Sequence, residues 1–235
     1  MDAVFREDAY ARSCAATVIS AEPEGIRLDR TVFYPTGGGQ PGDTGRLVRD
    51  DGTTVAIVEA VKGETPDDVL HLPAEGGAAL APGERVTAEI DWERRHRHMR
   101  MHTALHLVCA VVDAKITGAQ VGAERSRIDL DWPNPDMTKD EITAKLAGIV
   151  AANHPVRPIW ITDEELAAQP ELVRSMSVSP PTGFGRVRLL QIEGVDVQAC
   201  GGTHVAATGE IGQVAIAKIE NKGKQNRRLS VVLLD

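Results

Sequence analysis

The stretch "DWERRHRHMRMHTALHLVCAVVDA" (residues 91–114) separates two textures in the chain. It contains no Gly or Pro, and Met101, Leu105, Val108 and Val112 recur at helical spacing. Asp91 stands where an N-cap belongs, so the pattern predicts a helix over about 92–113. Before it, residues 1–90 read as short strands. "ARSCAATVIS", "GIRLDRTVFY", "GDTGRLVRD" and "TTVAIVEAVKG" carry β-branched residues and are punctuated by Gly, Asp and Pro. Many short strands at close spacing predict a small barrel or sandwich.

After the helix, "TKDEITAKLAGIVAANH" (138–154) predicts a second one, with Thr138 as cap and Glu141 completing a capping box. "VRPIWIT" predicts a strand and "DEELAAQPELVRSM" a short, interrupted helix. "GRVRLLQIEGVDVQACGG" and "GEIGQVAIAKIENKGKQNRRLSVVLLD" predict strands and turns. Strands that follow helices without regular βαβ alternation make an α+β sandwich. The expected fold class is α+β: an N-terminal small β-barrel domain over 1–88, then a two-layer α+β sandwich over 89–235.

The 235 residues are enough for one large domain or two modest ones. Aromatics are 3% of the chain, so the core must be aliphatic. A net charge of −8 argues against wholesale coating of nucleic acid but leaves room for local basic patches. The three cysteines, Cys14, Cys109 and Cys200, are an odd, low number. With no signal peptide in view, they predict a reduced, cytoplasmic protein. No apolar run approaches the roughly 20 residues of a membrane span. No obligate protein partner is evident.

Within the helix, His102 and His106 are four apart and share a face, their Cβ atoms about 6 Å from each other. A zinc protease would need Glu after the first His as general base, and Thr103 stands there. Far downstream, "QACGGTHV" (198–205) places Cys200 and His204 four apart with two glycines between, which favours a turn over a helix. Imidazole and thiolate both suit zinc, and the two pairs together predict one Zn2+ per chain. Spacing leaves open whether such a site is closed and structural or keeps a position for water. His96 and His98 stand among arginines and read as solvated or RNA-facing. His71 and His154 read as loop residues, and Cys109, inside the apolar run, as core.

"FYPTGGGQPGD" (33–43) is the other unusual stretch. It lacks the Gly-Lys-Ser/Thr of a P-loop. It is either a flexible turn between strands or a place where backbone approaches a ligand closely, with the Gln40 amide as donor and acceptor.

"MRMHTALHLV", "DVQACGGTHVAATGEIG" and "IAKIENKGKQNRRLSV" together resemble the editing domain of alanyl-tRNA synthetases and its free-standing relatives, the AlaX proteins. The resemblance covers residues 30–48 and most of 92–235. Threonyl-tRNA synthetase editing domains share a related layout, but "QACGGTHV" and the N-terminal loop fit the alanine branch better. The resemblance implies a trans-editing deacylase that cleaves the ester of seryl-tRNA of alanine identity and, in some members, glycyl-tRNA. It implies Zn2+ on His102, His106, Cys200 and His204. It also implies a substrate loop of Gly37, Gly38 and Gly39 facing the zinc pocket, with Gln40 as a substrate contact and Asp43 holding the turn.

Sparing alanyl-tRNA requires a polar reader of the serine hydroxyl, and Thr103 and Gln40 are the candidates. The implied partner is the acceptor end of tRNA. Arg94, Arg95, Arg97 and Arg100 on the helix, and Lys222, Lys224, Arg227 and Arg228 near the C-terminus, are candidate phosphate contacts. The bland reading of both clusters is a solvated charged face. Two alternatives come from other classes: a non-catalytic RNA-binding module with a structural zinc, and a zinc hydrolase of small-molecule esters.

Overall fold

The computed structural model describes residues 1–65, 68–76, 79–176, 179–180, 182–183 and 185–234. The chain forms two compact units, Met1–His96 and Arg97–Asp235, and helix α2 (Trp92–Val112) runs from one into the other.

The first unit contains β1 (Asp2–Ala3), α1 (Val4–Glu7), β2 (Ser13–Glu22), β3 (Gly25–Leu28), β4 (Arg30–Thr31), β5 (Gly45–Arg49), β6 (Thr54–Lys62), β7 (Val69–Pro73) and β8 (Arg85–Ile90). Six of these strands close a barrel in the order β2-β3-β7-β6-β5-β8. Closure removes the exposed sheet edge that an open array would leave. The barrel is filled by Val18, Ile26, Leu28, Leu47, Val55, Ile57 and Val86, with Phe33 as a buried ring among aliphatics. Strand β6 shows how sequence sets the register. Val55 and Ile57 point inward with period two, a bulge follows between Ile57 and Glu59, and the next buried residue is Ala60. The extra residue, Val58, is 53% exposed, so the bulge changes which parity faces the core.

His71 departs from its loop reading. It lies in β7, fully buried, with Nε2 2.7 Å from Thr31 Oγ1 and Nδ1 2.9 Å from the Ile26 carbonyl. Burial pushes its pKa down to about 4, so it is a neutral core residue.

The second unit adds β9 (Lys115–Gln120), β10 (Arg125–Asp131), α3 (Lys139–Ala152), β11 (Val156–Ile161), α4 (Asp163–Ala167), β12 (Val187–Ile192), β13 (Asp196–Ala199), β14 (Val214–Asn221) and β15 (Asn226–Leu233). One antiparallel sheet has the order β14-β15-β10-β9 and a second the order β11-β12-β13. Thr138 caps α3 through both halves of a capping box with Glu141, and the helix ends at Asn153 in the left-handed conformation. The result is the expected α+β fold with a small N-terminal barrel.

Helix α2 begins behind Asp91, whose carboxylate accepts the Arg94 N–H at 3.2 Å. From His98 to Cys109 every residue except Arg100 is buried. A helix buried on all sides normally carries apolar residues throughout. Here His98, His102, Thr103 and His106 are buried with the aliphatics, and buried polar groups demand partners. Among the described residues, no helix is long and apolar enough to cross a membrane.

Candidate functional site

The second unit brings the two spaced pairs together. His102 and His106 project from one face of α2, with ring centroids 5.3 Å apart. The other pair follows β13. Leu189 pairs with Ala199, and the Cys200 N–H then donates to the Arg188 carbonyl at 3.2 Å, which extends the ladder by one residue. Beyond it the chain turns. The Arg188 guanidinium donates to the carbonyls of Cys200 (2.7 Å) and Gly202 (3.0 Å) and fixes the turn that carries His204.

One ligand atom from each of His102, His106, Cys200 and His204 lies within 4.8 Å of all the others. Cys200 Sγ is 3.2 Å from His204 Nε2 and 3.7 Å from His102 Nε2. A tetrahedral zinc with three nitrogens and one sulfur has edges of roughly 3.3–3.6 Å, so the two sulfur–nitrogen distances already lie near that range and the widest pairs would close by about 1 Å. Three imidazoles and a thiol are a donor set suited to a borderline-soft cation. Burial pushes the Cys200 thiol up, but the facing His102, His204 and His106 rings and the His102 hydrogen bond outweigh it and hold it well below its ordinary value. Burial pushes His204 well below its ordinary value, in spite of the Cys200 sulfur beside it. Thiolate and neutral imidazole are the forms that bind a metal. The three histidines are 5–8% exposed, and Cys200 is half-buried as a residue.

Thr103, offered by the sequence as a reader of substrate, is fully buried and occupied. Its Oγ1 lies 2.9 Å from the Met99 carbonyl, 3.2 Å from His204 Nδ1 and 3.3 Å from the Val205 N–H. A hydroxyl has one proton and two lone pairs. All three are used when Thr103 donates to Met99 and accepts from Val205 and from a protonated His204 Nδ1. That tautomer leaves the His204 Nε2 lone pair facing Cys200. Thr103 therefore orients His204, and no hydrogen-bonding capacity is left for a further partner. The sequence signal was present, since Thr back-bonding to the carbonyl four residues earlier is a known habit in helices. The His204 contact joins residues 101 positions apart and could not be read from spacing.

The glycine-rich loop belongs to the first unit. Gly37 and Gln40 exchange both backbone hydrogen bonds at 3.0 Å, and Gly38 and Gly39 have φ of +58° and +81°. This is a tight two-residue turn of type I′, which explains two of the glycines. Gly42 is needed for packing, because a Cβ there would stand 1.9 Å from the Ala60 carbonyl oxygen. Gln40 is 1% exposed. Asp43 holds the loop, accepting the Tyr34 N–H at 2.6 Å and pairing in bidentate fashion with Arg95.

That pairing corrects the reading of Arg95 as an RNA contact. Arg95 is fully buried, and besides Asp43 it donates to the carbonyls of Ala9 (3.0 Å) and Val32 (2.7 Å). In the sequence it is one of four arginines in a run, and only burial separates it from the rest. His98, read as solvated, is 2% exposed, and His96 is stacked on Trp92 with centroids 5.3 Å apart. The other helix arginines are half-buried and donate to carbonyls: Arg94 to Gly42 (2.6 Å), Arg97 to Ala123 (2.6 Å) and Arg100 to Ile211 (2.8 Å). At the C-terminal cluster, Lys222 and Lys224 are exposed at the β14–β15 turn. Arg228 is paired in bidentate fashion with Asp129 at 2.7 Å, and Arg227 donates to the Pro133 and Gly223 carbonyls. Cys109 is core as expected, its thiol pushed up to about 12 by burial.

Two family models match the chain. "Threonyl and Alanyl tRNA synthetase second additional domain" matches residues 187–230, which include Cys200 and His204. "tRNA synthetases class II (A)" matches residues 6–94. The alanyl-tRNA editing protein AlaX-M of Methanosarcina acetivorans is 41% identical over 239 residues, covering 97% of each chain. The chain belongs to the AlaX-M family of alanyl-tRNA editing proteins. The family extends to the AlaX-M of Saccharolobus solfataricus, 35% identical over 96% of each chain. The alanine–tRNA ligase of Metallosphaera sedula is 35% identical over 92% of this chain, which corresponds to 24% of that ligase.

Proposed function

We propose that the protein is a zinc-dependent trans-editing deacylase of the cytoplasm. It hydrolyses the ester between serine and tRNA of alanine identity. The carrying observation is the cluster of four metal-ligating atoms within 4.8 Å, in a chain 41% identical to an alanyl-tRNA editing protein over nearly its whole length.

His102, His106, Cys200 and His204 hold one Zn2+, which when bound supplies a Lewis acid able to polarise a carbonyl or lower the pKa of water. The protein's part is positioning. Thr103 fixes the ring of His204, and Arg188 fixes the turn that bears Cys200. Loss of such supporting hydrogen bonds typically costs about 10- to 100-fold in metal affinity or activity.

Discrimination is polar. Alanine is smaller than serine, so no steric wall excludes it, and only an unpaired polar group can penalise it. Such a group costs about 1–3 kcal/mol, or roughly 5- to 150-fold. Of the two side chains that the sequence offered as readers, Thr103 and Gln40 are both buried, at 0% and 1% exposure. Lys222 and Lys224 are the exposed cations that suit phosphates of the acceptor end.

The test is ester loss from seryl-, glycyl- and alanyl-tRNA of alanine identity, with and without a chelator. Seryl ester should disappear, alanyl ester persist, and chelation stop the reaction. Equal loss of seryl and alanyl esters, or no loss from either, defeats the reading.

A further inference from the structure

Trp160 is 36% exposed on β11, an edge strand, in a chain where aromatics are 3% of residues. The guanidinium of Arg186 lies over its ring, 4.4 Å from the centroid. The strand register pairs Trp160 with Arg188, so the two side chains share a face, and Arg186, two residues before Arg188, falls on it as well. Farther along the same face, Leu190 and Ile192 are buried, at 2% and 1% exposure. The face is therefore covered at one end and open at the other. At the open end, Arg188 holds the carbonyls of Cys200 and Gly202. Trp160 and Arg186 thus share a strand face with the arginine that fixes the turn carrying two of the four residues able to hold a metal.

An exposed indole topped by a guanidinium presents a flat, apolar and cationic surface. A base stacks on such a surface, and its phosphate pairs with the arginine. A folded protein partner would not need the positive charge, and a neutral apolar segment would not use it. We infer that Trp160 and Arg186 form a stacking platform for an unpaired nucleotide of the single-stranded 3′ end of tRNA, next to the aminoacylated ribose. This rests on the deacylase reading, which requires the terminal nucleotides to lie along the rim of the metal-ligand cluster.

The probe is an uncharged acceptor-stem minihelix with its 3′ single strand, compared with the same duplex made blunt. Trp160→Ala should weaken binding of the overhanging minihelix about tenfold or more, from the value of one stacked base. It should leave the blunt duplex unchanged, and Trp160→Phe should restore most of the loss. Arg186→Ala, at an exposed position, should weaken the same complex and flatten its salt slope by about 0.7, one phosphate on a single strand. Undiminished binding by Trp160→Ala and Arg186→Ala, or equal losses on overhanging and blunt duplexes, overturns the platform. If the wild type hydrolyses seryl-tRNA while these variants bind as it does, the platform falls and the deacylase reading stands. If the wild type hydrolyses nothing, the deacylase reading fails first and the platform goes with it.

Discussion

Among the described residues, a strongly polar cluster in each unit is buried, and the two are built to opposite ends. In the barrel unit, Asp43 and Arg95 face each other with every partner supplied: the Tyr34 N–H on the carboxylate, and the Ala9 and Val32 carbonyls on the guanidinium. In the second unit, His102, His106, Cys200 and His204 turn lone pairs toward one another, and the supporting bonds from Thr103 and Arg188 fall on the outer atoms. The first cluster is closed and fixes a loop. The second has donors converging on a common point, which is what a cation requires. Burial of polar groups is the same in both, and only the direction in which their bonding capacity is spent separates a structural cluster from a functional one.

Breaking the closed cluster should have the largest effect on folding. Arg95→Ala leaves the Asp43 carboxylate buried without its cation, a loss of about 3–5 kcal/mol, read as a lower denaturation midpoint. Zinc bound per folded chain should not change. A variant as stable as the wild type would mean that the pair contributes nothing to the barrel.

Acid should act on the barrel through His71 by a slightly smaller amount. Its pKa is about 4 when folded and 6.5 when free, so the unfolded chain binds the proton first as pH falls. Stability is complete above pH 6.5 and is lost progressively down to about pH 4, to a total of about 3 kcal/mol from this group. An NMR titration of the His71 ring checks the sign: the ring should remain neutral at pH 5.5, and protonation there would contradict its burial.

In the open cluster, Thr103→Val removes the acceptor for His204 Nδ1 and keeps the volume. Zinc affinity should fall about 10- to 100-fold, while Thr103→Ser should stay near the wild type. The ratio of seryl to alanyl hydrolysis, measured at saturating zinc, should not change in either variant. A lower ratio would restore Thr103 as the reader of serine. The smallest effect is at the surface. Changing Lys222 and Lys224 to Ala should weaken tRNA binding and reduce the salt slope by about one for each lost phosphate contact. An unchanged slope would make the turn an ordinary solvated one.

Local features were legible in the sequence because local chemistry determines them. The capping box at Thr138, the helix behind Asp91 and the β-rich first 90 residues are set by neighbours in the chain. The ligand pairs were legible because four-residue spacing reports a helix face at His102 and His106, and Gly201 and Gly202 report a turn at Cys200 and His204. What escaped was set by long-range burial. Arg95 looks like its neighbours in "RRHR", yet its partner Asp43 is 52 positions away. His71 sits among punctuating residues, but the barrel closes over it. Thr103 looks available next to His102 until the returning chain places His204 and Val205 against its hydroxyl.

The most direct test of the central claim is the zinc content of purified protein, wild type against Cys200→Ala, by elemental analysis per mole of chain. One zinc per wild-type chain and a clear deficit in the variant, with its fold intact by circular dichroism, is the expected result. Full occupancy in Cys200→Ala would contradict the assignment of the cluster as the metal centre.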